Sequence, residues 1–435
     1  MSKDYNKELL NFLEKSPTAF HGVQNICFTL EDKGYQKLEE GEKWKLEPQK
    51  GYFVTRNDSS VIAFKIPKKS FGGYQIVASH SDSPCFKIKE KPELLRGKRY
   101  TSLNVEGYGG MLMAPWFDRP LSVAGRIMVK DGNKIRSLLV NIEEDLLMIP
   151  NLAIHMNREA NNGYAYNVQK DLIPLMGDGS QEGKLMERVA KKAGVEAENI
   201  LGKDLFVYNR QPGTVWGLEK EYIGAPRIDN LMCAYGSLQG FLQGRGKENV
   251  NVYCVFDNEE VGSQTKQGAG SSFLEDVLCR INLSLGREKE EYFTALANSF
   301  MVSADNAHGV HPNIPEKSDE VNRVYMNEGI VIKHSANQKY TTDGVSRGIF
   351  VDICKKAGVP VQDFVNPSNV VGGSTLGNIA NTKTSVNTVD IGLAQLAMHS
   401  PYECAGAKDI EYMIKGMKAF FSTTIRTIGS GSYEL

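Results

Sequence analysis

Runs of apolar and β-branched residues that end at charged side chains are the feature that most constrains this fold. Val250–Phe256 (VNVYCVF) is almost continuously apolar, and residues 74–79 (YQIVAS), Phe300–Ala304 and 386–392 have similar patterns. Strands that are buried on both faces have this composition, as in a sheet that is covered by helices. The chain is therefore expected to build an α/β fold around a buried sheet.

Apolar residues at helical spacing supply the layers that would cover such a sheet. Two helices are predicted near the start of the chain, and residues 226–245 form a further helix signal, with Asp229 where that helix would begin. From about 91 to 224 the sequence is rich in Gly, Pro and Asn, with short alternating strands such as 121–130 and one helix near 183–194. This stretch is typical of a β-rich insertion within an α/β domain.

The composition argues against several other classes of protein. With 435 residues, 41% of them hydrophobic and 24% charged, the chain resembles an ordinary globular protein. Its net charge of −1 gives no indication of a nucleic-acid or membrane-surface partner. The N-terminal segment MSKDYNKELLNFLEKS lacks the apolar core of a signal peptide, and no apolar stretch is long enough to span a membrane. The seven cysteines are scattered without CxxC spacing, which predicts reduced thiols in a cytoplasmic protein.

Side chains that can bind metal ions follow the apolar runs. They occur in the segments SHSDSP, FDNEEVG, SADNAHGVHP and LAMHSPYE, together with the aspartate that opens the predicted helix. In open α/β sheets, ligands bind outside the carboxyl ends of the strands. The candidates are His80, Asp82, Asp229, Glu259, Glu260, Asp305, His308 and His399.

This set of residue types suits hydrolysis by two metal ions. Two ions about 3.5–4 Å apart can share a carboxylate and a water, and they lower the pKa of that water from 15.7 towards about 7. A free carboxylate nearby then acts as general base, so that adjacent Glu259 and Glu260 could divide the work, one on the metal and one on the water. Taken singly, each residue also has a structural interpretation: HSD as a hydrogen-bonded pair, EE as surface charge, Asp229 as a helix N-cap.

The segments that carry these residues resemble the aspartyl aminopeptidase family, which includes vacuolar aminopeptidase I. The similarity covers nearly the whole chain and runs through ASHSDSPCFKIK, IPNLAIHMNR, RIDNLMCAYGSL, VFDNEEVGSQTKQGAGSSFL, SADNAHGVHPN, GGSTLGNI and QLAMHSPYE. The resemblance implies an enzyme with two zinc ions that hydrolyses the first peptide bond of a peptide. It implies an α/β metallopeptidase domain with a central mixed sheet flanked by helices, formed by residues 1–90 and 225–435. Residues 91–224 would then be an inserted β-rich dimerisation domain, within a homo-oligomer that is typically a tetrahedral dodecamer.

The resemblance also implies the metal ligands. Asp229 would bridge the two ions, His80 and Asp305 would complete one site, and Glu260 and His399 would complete the other. The ions are expected to be zinc, although mixed nitrogen and oxygen ligands also suit cobalt or manganese.

Two carboxylates receive supporting roles from the same resemblance. Glu259 would be the general base that takes a proton from the bridging water and delivers it to the leaving amine. Asp82 would orient the imidazole of His80 from outside the metal site.

Further positions match substrate-binding residues of the family. Lys333 matches a lysine that is associated with an acidic substrate side chain, which predicts a preference for peptides that begin with Asp or Glu. His155 matches a histidine that reaches the active site of a neighbouring subunit. His308 follows Asp305 at the spacing that is found in the family. The GGST segment, with Gly373 and Ser374, would line the pocket with backbone groups. The structural alternatives are an exposed strand lysine at 333 and a simple tight turn at GGST.

The chain departs from the family pattern at two positions, and other functions stay open. Ser81 stands where threonine is common, and Asn378 stands where many members have proline. The alternatives are a preference for neutral or hydrophobic N-terminal residues, a related carboxypeptidase or deacylase with two metal ions, and an inactive scaffold. A scaffold has no physical need to hold so many carboxylates together.

Overall fold

The structure is a computed structural model that describes residues 4–435. Within that range the chain forms nine α-helices. They are α1 (Tyr5–Glu14), α2 (Ala19–Asp32), α3 (Lys184–Ala193), α4 (Ile228–Gln243), α5 (Phe273–Ser284), α6 (Lys289–Ala297), α7 (Gly344–Lys356), α8 (Leu376–Ala380) and α9 (Asp409–Phe420). Every helix in this range is too short or too polar to cross a membrane.

The strands are numbered in chain order. The first twelve are β1 (Gln36–Leu38), β2 (Gly51–Arg56), β3 (Ser60–Lys65), β4 (Tyr74–His80), β5 (Cys85–Arg96), β6 (Tyr100–Tyr108), β7 (Leu121–Asp131), β8 (Lys134–Asn141), β9 (Leu175–Asp178), β10 (Ile200–Asn209), β11 (Thr214–Trp216) and β12 (Tyr222–Ala225). The others are β13 (Val250–Phe256), β14 (Phe300–Ala304), β15 (Ala307–His308), β16 (Ile330–His334), β17 (Val361–Val365), β18 (Asn387–Gly392), β19 (Ala394–Leu396), β20 (Glu403–Gly406), β21 (Arg426–Gly429) and β22 (Ser432–Glu434).

A mixed sheet of nine strands forms the centre of the fold, in the order β1-β2-β3-β13-β4-β14-β18-β16-β17. Its four middle strands, β13, β4, β14 and β18, run parallel to one another. Every residue of β4, β13 and β14 is buried, because helices cover both faces. Val77 and Tyr253 pack in the core that includes α4 and α9, whereas Ile76 and Cys254 pack in the core that includes α5. The predicted α/β fold with a central mixed sheet is confirmed.

A second sheet lies entirely within residues 85–209. Its six strands are antiparallel, in the order β8-β7-β10-β5-β6-β9, and they enclose a separate apolar core with helix α3. Gly183 and Gly194 flank α3 with left-handed backbone angles of φ 82° and 68°. This part of the chain is β-rich with one helix, whereas a separate inserted domain over residues 91–224 stays a prediction. Its role in dimerisation stays a prediction.

Helix α4 starts differently from the sequence-based interpretation. Asp229 is not its N-cap, because Arg227 precedes the helix in a left-handed conformation with φ 60°. Asp229 itself has non-helical angles, φ −78° and ψ 111°. The N-cap interpretation is therefore wrong, and the carboxylate of Asp229 points to other partners.

Candidate metal centre

The candidate side chains converge where the parallel strands of the nine-stranded sheet end. His80 is the last residue of β4, Asp305 directly follows β14, and Glu259 and Glu260 lie in a short 3-10 turn after β13. Parallel strands end at the same edge of a sheet, so that residues far apart in sequence meet there. Asp229 reaches this edge from the irregular first turn of α4.

One cluster gathers around the imidazole of His80. Its Nε2 lies 3.4 Å from Oδ1 of Asp229 and 3.4 Å from Oδ1 of Asp305. These distances exceed the usual 2.7–3.2 Å of a hydrogen bond. The three side chains nevertheless offer ligand atoms that all lie within 4.8 Å of one another. Their spacing therefore suits a common metal ion better than direct bonds.

A second cluster gathers around His399. Its Nε2 lies 3.5 Å from Oδ2 of Asp229 and 3.4 Å from Oε2 of Glu260. These three side chains also bring ligand atoms within 4.8 Å of one another. Asp229 thus belongs to both clusters, with one carboxylate oxygen facing each histidine. A carboxylate in this position can serve as a ligand to an ion in either cluster.

The hydrogen bonding of the site is incomplete in a way that suits cations. Oδ1 of Asp229 and Oε1 of Glu260 are buried and have no hydrogen-bond partner within residues 4–435. Burial of a carboxylate oxygen costs free energy unless the oxygen has a hydrogen-bond or ion-pair partner or coordinates a metal ion. Imidazole nitrogen and carboxylate oxygen are also ligands of zinc. The residues present therefore fit a divalent metal ion in each cluster.

The electrostatics of the site lead to the same conclusion. Burial, and after it the charges of Asp305, Asp82 and Asp229, raise the pKa of Glu259 to about 8 against the opposing effect of His80. Burial, with the charge of Asp229, also holds the pKa of Glu260 well above its ordinary value. The centre therefore carries more negative charge than its own histidines can balance, and bound cations would balance it.

The pKa of His80 is raised as well, but by the neighbouring carboxylates rather than by burial. Burial lowers its pKa, but contacts with the carboxylates of Asp229, Asp305 and Asp82 outweigh burial and bring the pKa well above its ordinary value. The surrounding carboxylates therefore favour a positive charge at this position, which a divalent cation between the same groups would supply.

Asp82 touches both His80 and the glutamate turn. Nδ1 of His80 lies 3.1 Å from the carbonyl oxygen of Asp82 and 3.4 Å from its Oδ1. The carboxylate of Asp82 accepts hydrogen bonds from the backbone N–H groups of Glu259 and Glu260, both at 3.1 Å. The orienting role expected for Asp82 therefore has two targets, the imidazole and the turn that carries both glutamates.

Glu403 contributes to the centre and was not assigned a role from the sequence. It is buried on β20, and its carboxylate accepts the backbone N–H of Asp229 at 2.9 Å and that of His399 at 2.8 Å. It thereby fixes two residues of the second cluster to each other. The available signal was a glutamate next to an apolar strand, four residues after His399 in MHSPYE.

Lys333 is buried rather than exposed. Its side chain is only 3% exposed, and its Nζ lies 3.6 Å from Oδ2 of Asp305 and 5.4 Å from the ring centre of Tyr340. The alternative of an ordinary exposed strand lysine is therefore wrong. Asp305 faces His80 with one oxygen and Lys333 with the other.

The other predicted substrate residues lie at the surface of this chain. His308 is exposed on β15, Gly373 and Ser374 are exposed before α8, and His155 is exposed in an irregular segment. The hydroxyl of Ser374 donates to Oδ1 of Asn378 at 2.7 Å. The residue that replaces the proline of the family is thus tied to GGST.

Known proteins match the chain along almost its full length. The profile of the family described as Aminopeptidase I zinc metalloprotease (M18) matches residues 12–421. The probable M18 family aminopeptidase 2 of Clostridium acetobutylicum is 44% identical over 427 residues, which cover 96% of this chain and 99% of that protein.

Solved structures match as completely. The cryo-EM structure of the Ape4 and Nbr1 complex aligns with a TM-score of 0.93 at 35% identity, and covers 96% of this chain and 85% of the other. The structure of the S. cerevisiae mApe1 dodecamer aligns with a TM-score of 0.85 at 28% identity, and covers 96% of both chains.

Proposed function

The chain belongs to the M18 family of aminopeptidase I metalloproteases, and from that membership we propose that it removes the N-terminal residue of peptides with two metal ions. The observation that carries this proposal is the position of Asp229. Its Oδ1 faces His80 and its Oδ2 faces His399, each within a separate group of possible ligands. A hydrolase with one metal ion would not need a carboxylate shared in this way.

The proposed ligands divide the metal ions between the two clusters. His80 and Asp305 hold one ion, Glu260 and His399 hold the other, and Asp229 bridges them. Zinc is proposed because the family description names it and the ligands are mixed nitrogen and oxygen. Cobalt or manganese would suit the same ligands. When bound, the two ions would supply Lewis acidity towards a shared water and the scissile carbonyl.

Glu259 is proposed as the general base. With His80 and Glu260 it forms a third group of possible ligands, but both groups built on the shared Asp229 exclude it. We therefore assign its carboxylate to the water rather than to a metal ion. It would take a proton from the attacking water and deliver it to the leaving amine. Asp82 supports this role because it anchors the backbone N–H of Glu259.

The preference for acidic N-terminal residues is part of the proposal, and the Lys333 contact also supports an alternative. A buried cation next to the metal centre can pair with a substrate carboxylate, and a neutral substrate would leave it less well compensated. However, Lys333 already faces Asp305 at 3.6 Å. That ion pair would compensate the lysine with a neutral substrate as well, so a preference for neutral residues is retained as the second candidate.

Self-association is proposed as well. Three apolar side chains next to His155 in the sequence are exposed: Leu152, Ile154 and Met156, of which Met156 is 75% exposed. Exposed apolar groups of this kind often mark interaction sites. The matched mApe1 structure is a dodecamer. We therefore propose a homo-oligomer, and specifically a dodecamer, in which His155 reaches a neighbouring active site.

We also propose a cytoplasmic location, which the seven free cysteines support.

One experiment separates the proposed function from its rivals. Metal-free protein would be loaded with zinc, cobalt or manganese and assayed on glutamyl, aspartyl and leucyl substrates, each with a free or an acetylated N-terminus. We expect hydrolysis only with metal and only of the free N-terminus. Cleavage of the acetylated substrates would favour a carboxypeptidase or deacylase, inactivity with every metal would favour a scaffold, and full activity without metal would contradict the two-metal proposal.

A further inference from the structure

Residues 108–112, which we call the β6 exit segment, leave the six-stranded sheet and touch the metal centre at three places. The segment starts at Tyr108, the last residue of β6. It contacts Asp82, Glu260 and His399, which belong to three different strand ends of the other sheets. The metal centre therefore has a neighbour that the sequence motifs did not indicate.

Tyr108 makes the first contact. Its hydroxyl donates to Oδ2 of Asp82 at 2.7 Å and accepts a hydrogen bond from Nδ2 of Asn258 at 2.8 Å. Asp82 in turn accepts the backbone N–H groups of Glu259 and Glu260. The tyrosine hydroxyl is thus connected to the turn that carries both glutamates through Asp82 and directly through Asn258.

Gly109 makes the second contact. Its φ is +73°, and a Cβ at this position would lie 3.1 Å from the Cβ of Glu260. A larger residue would be strained in this left-handed backbone region and would also press on Glu260. The glycine therefore allows the backbone of the segment to lie against the ligand.

His399 makes the third contact. Its carbonyl oxygen accepts the backbone N–H of Leu112 at 3.0 Å. The β6 exit segment is therefore tied to the backbone of the histidine in the second cluster.

We propose that Tyr108 is a positioning residue for the reaction, through which the six-stranded sheet holds Asp82 and the Glu259–Glu260 turn in the reactive arrangement. This inference rests on the proposed roles of the two glutamates. Removal of the hydroxyl takes one of the donors from Asp82 and leaves Asn258 without an acceptor. The turn would keep its fold and its metal ligands but lose its fixed orientation towards substrate.

The test compares Tyr108→Phe with Tyr100→Phe. Tyr100 lies at the other end of β6 and is 58% exposed, which makes it a matched control on the same strand. We expect kcat of Tyr108→Phe to fall about 10- to 100-fold, as is typical for residues that support metal ligands from outside. KM, metal content and thermal midpoint should match the wild type, and the control should match it in every respect. Affinity for a transition-state analogue of the α-hydroxy-β-amino acid class should fall in parallel with kcat/KM.

Two further variants keep the inference falsifiable. If Tyr108 acts through Asp82, its effect should largely disappear in an Asp82→Asn background, because the two changes would remove one interaction. Unchanged kcat in Tyr108→Phe, or a loss that accompanies missing metal or a lowered thermal midpoint, would overturn the inference. Glu259→Gln is measured alongside: if that variant remains active, the proposed function itself has failed, whereas an inactive Glu259→Gln with an unaffected Tyr108→Phe refutes only the role of Tyr108.

Discussion

The two large sheets of the molecule differ in how completely their faces are covered. In the nine-stranded sheet, all seven residues of β4 and all seven of β13 are buried, because helices lie on both faces. In the six-stranded sheet, β5 alternates buried Phe86 and Ile88 with half-exposed neighbours, and the edge strand β8 leaves its first three residues exposed. Antiparallel sheets can leave one face to solvent in this way, whereas parallel strands need cover on both faces.

This difference decides where the chemistry lies. The parallel strands β4, β13 and β14 end at one edge, and this topology alone brings the polar residues that follow them together. Antiparallel neighbours end at opposite edges, so that the six-stranded sheet collects no comparable group of ligands within residues 4–435. It contributes instead by contact, through the β6 exit segment. If one sheet carries the reaction and the other supports it, substitutions in the two sheets should differ in their effects.

The largest effect is expected at Glu259. Glu259→Gln should keep both metal ions and lose roughly 10²- to 10⁴-fold in kcat, because the amide cannot accept the proton of the attacking water. Metal content by elemental analysis and kcat by steady-state assay provide the measurement.

Glu260→Gln is the matched control for that variant, since the two residues are adjacent in one turn. It should lower the occupancy of one metal ion, because Oε2 of Glu260 faces His399 in the second cluster. If Glu259→Gln loses metal while Glu260→Gln keeps both ions, the two roles are reversed.

These roles show how far the sequence alone could lead. The buried strands were predictable because short apolar runs rich in β-branched residues are typical of strands that are covered on both faces. Candidates such as His80 and Asp305 could be picked out because they lie at or directly after those runs, whereas the division into ligands and general base came from the family resemblance. Glu403 and Tyr108 could not be picked out, because each acts by a hydrogen bond to a residue distant in sequence, Asp229 and Asp82 respectively, and such partners depend on tertiary packing. The burial of Lys333 could not be predicted for a related reason. Its strand IVIKH does not reveal which face the rest of the fold covers.

The next effect concerns selectivity within the nine-stranded sheet. If acidic substrates are preferred, Lys333→Met should lower kcat/KM for glutamyl and aspartyl substrates about 10- to 100-fold, the usual value of a charged hydrogen bond. Leucyl hydrolysis should change little or rise. The measurement is kcat/KM for the three substrates at fixed metal occupancy.

The ion pair with Asp305 supplies the alternative outcome. If Lys333 mainly supports Asp305, then Lys333→Met should lower hydrolysis of all three substrates to a similar extent and weaken one metal site. Arg at this position would keep the charge, but it would have to fit a side chain that is almost wholly enclosed. A wild type that prefers leucine, together with no change in Lys333→Met, would contradict the acidic preference.

A smaller effect is expected from the region of the six-stranded sheet. His155→Ala should reduce kcat/KM roughly fivefold, the value of one lost hydrogen bond of about 1 kcal/mol. Subunit mixing gives the sharper measurement. When His155→Ala subunits are assembled with Glu259→Gln subunits, some intact Glu259 sites regain a neighbour with His155, and activity per His155→Ala subunit should rise.

No rise in well-mixed oligomers would mean that His155 does not serve a neighbouring site. Light scattering must show that both variants assemble like the wild type, and wild-type subunits mixed with Glu259→Gln subunits provide the reference. A monomeric variant with unchanged turnover would remove any role for a neighbour.

The smallest effect compares the two cores with one chemical change. Ile76 on β4 and Ile127 on β7 are both fully buried, whereas Ile135 on β8 is 62% exposed. Ile→Val at either buried position should cost about 0.5–1.5 kcal/mol of unfolding free energy, because one methylene leaves a packed core. At Ile135 the cost should stay within about 0.5 kcal/mol. Urea denaturation would be measured at several protein concentrations, since assembly adds to apparent stability.

If Ile135→Val costs as much unfolding free energy as the buried changes at high concentration but not at low concentration, a second subunit covers β8. The open face of the six-stranded sheet would then be an assembly surface. An equal cost at every concentration would instead contradict the division between a sheet that is covered on both faces and one that leaves β8 to solvent.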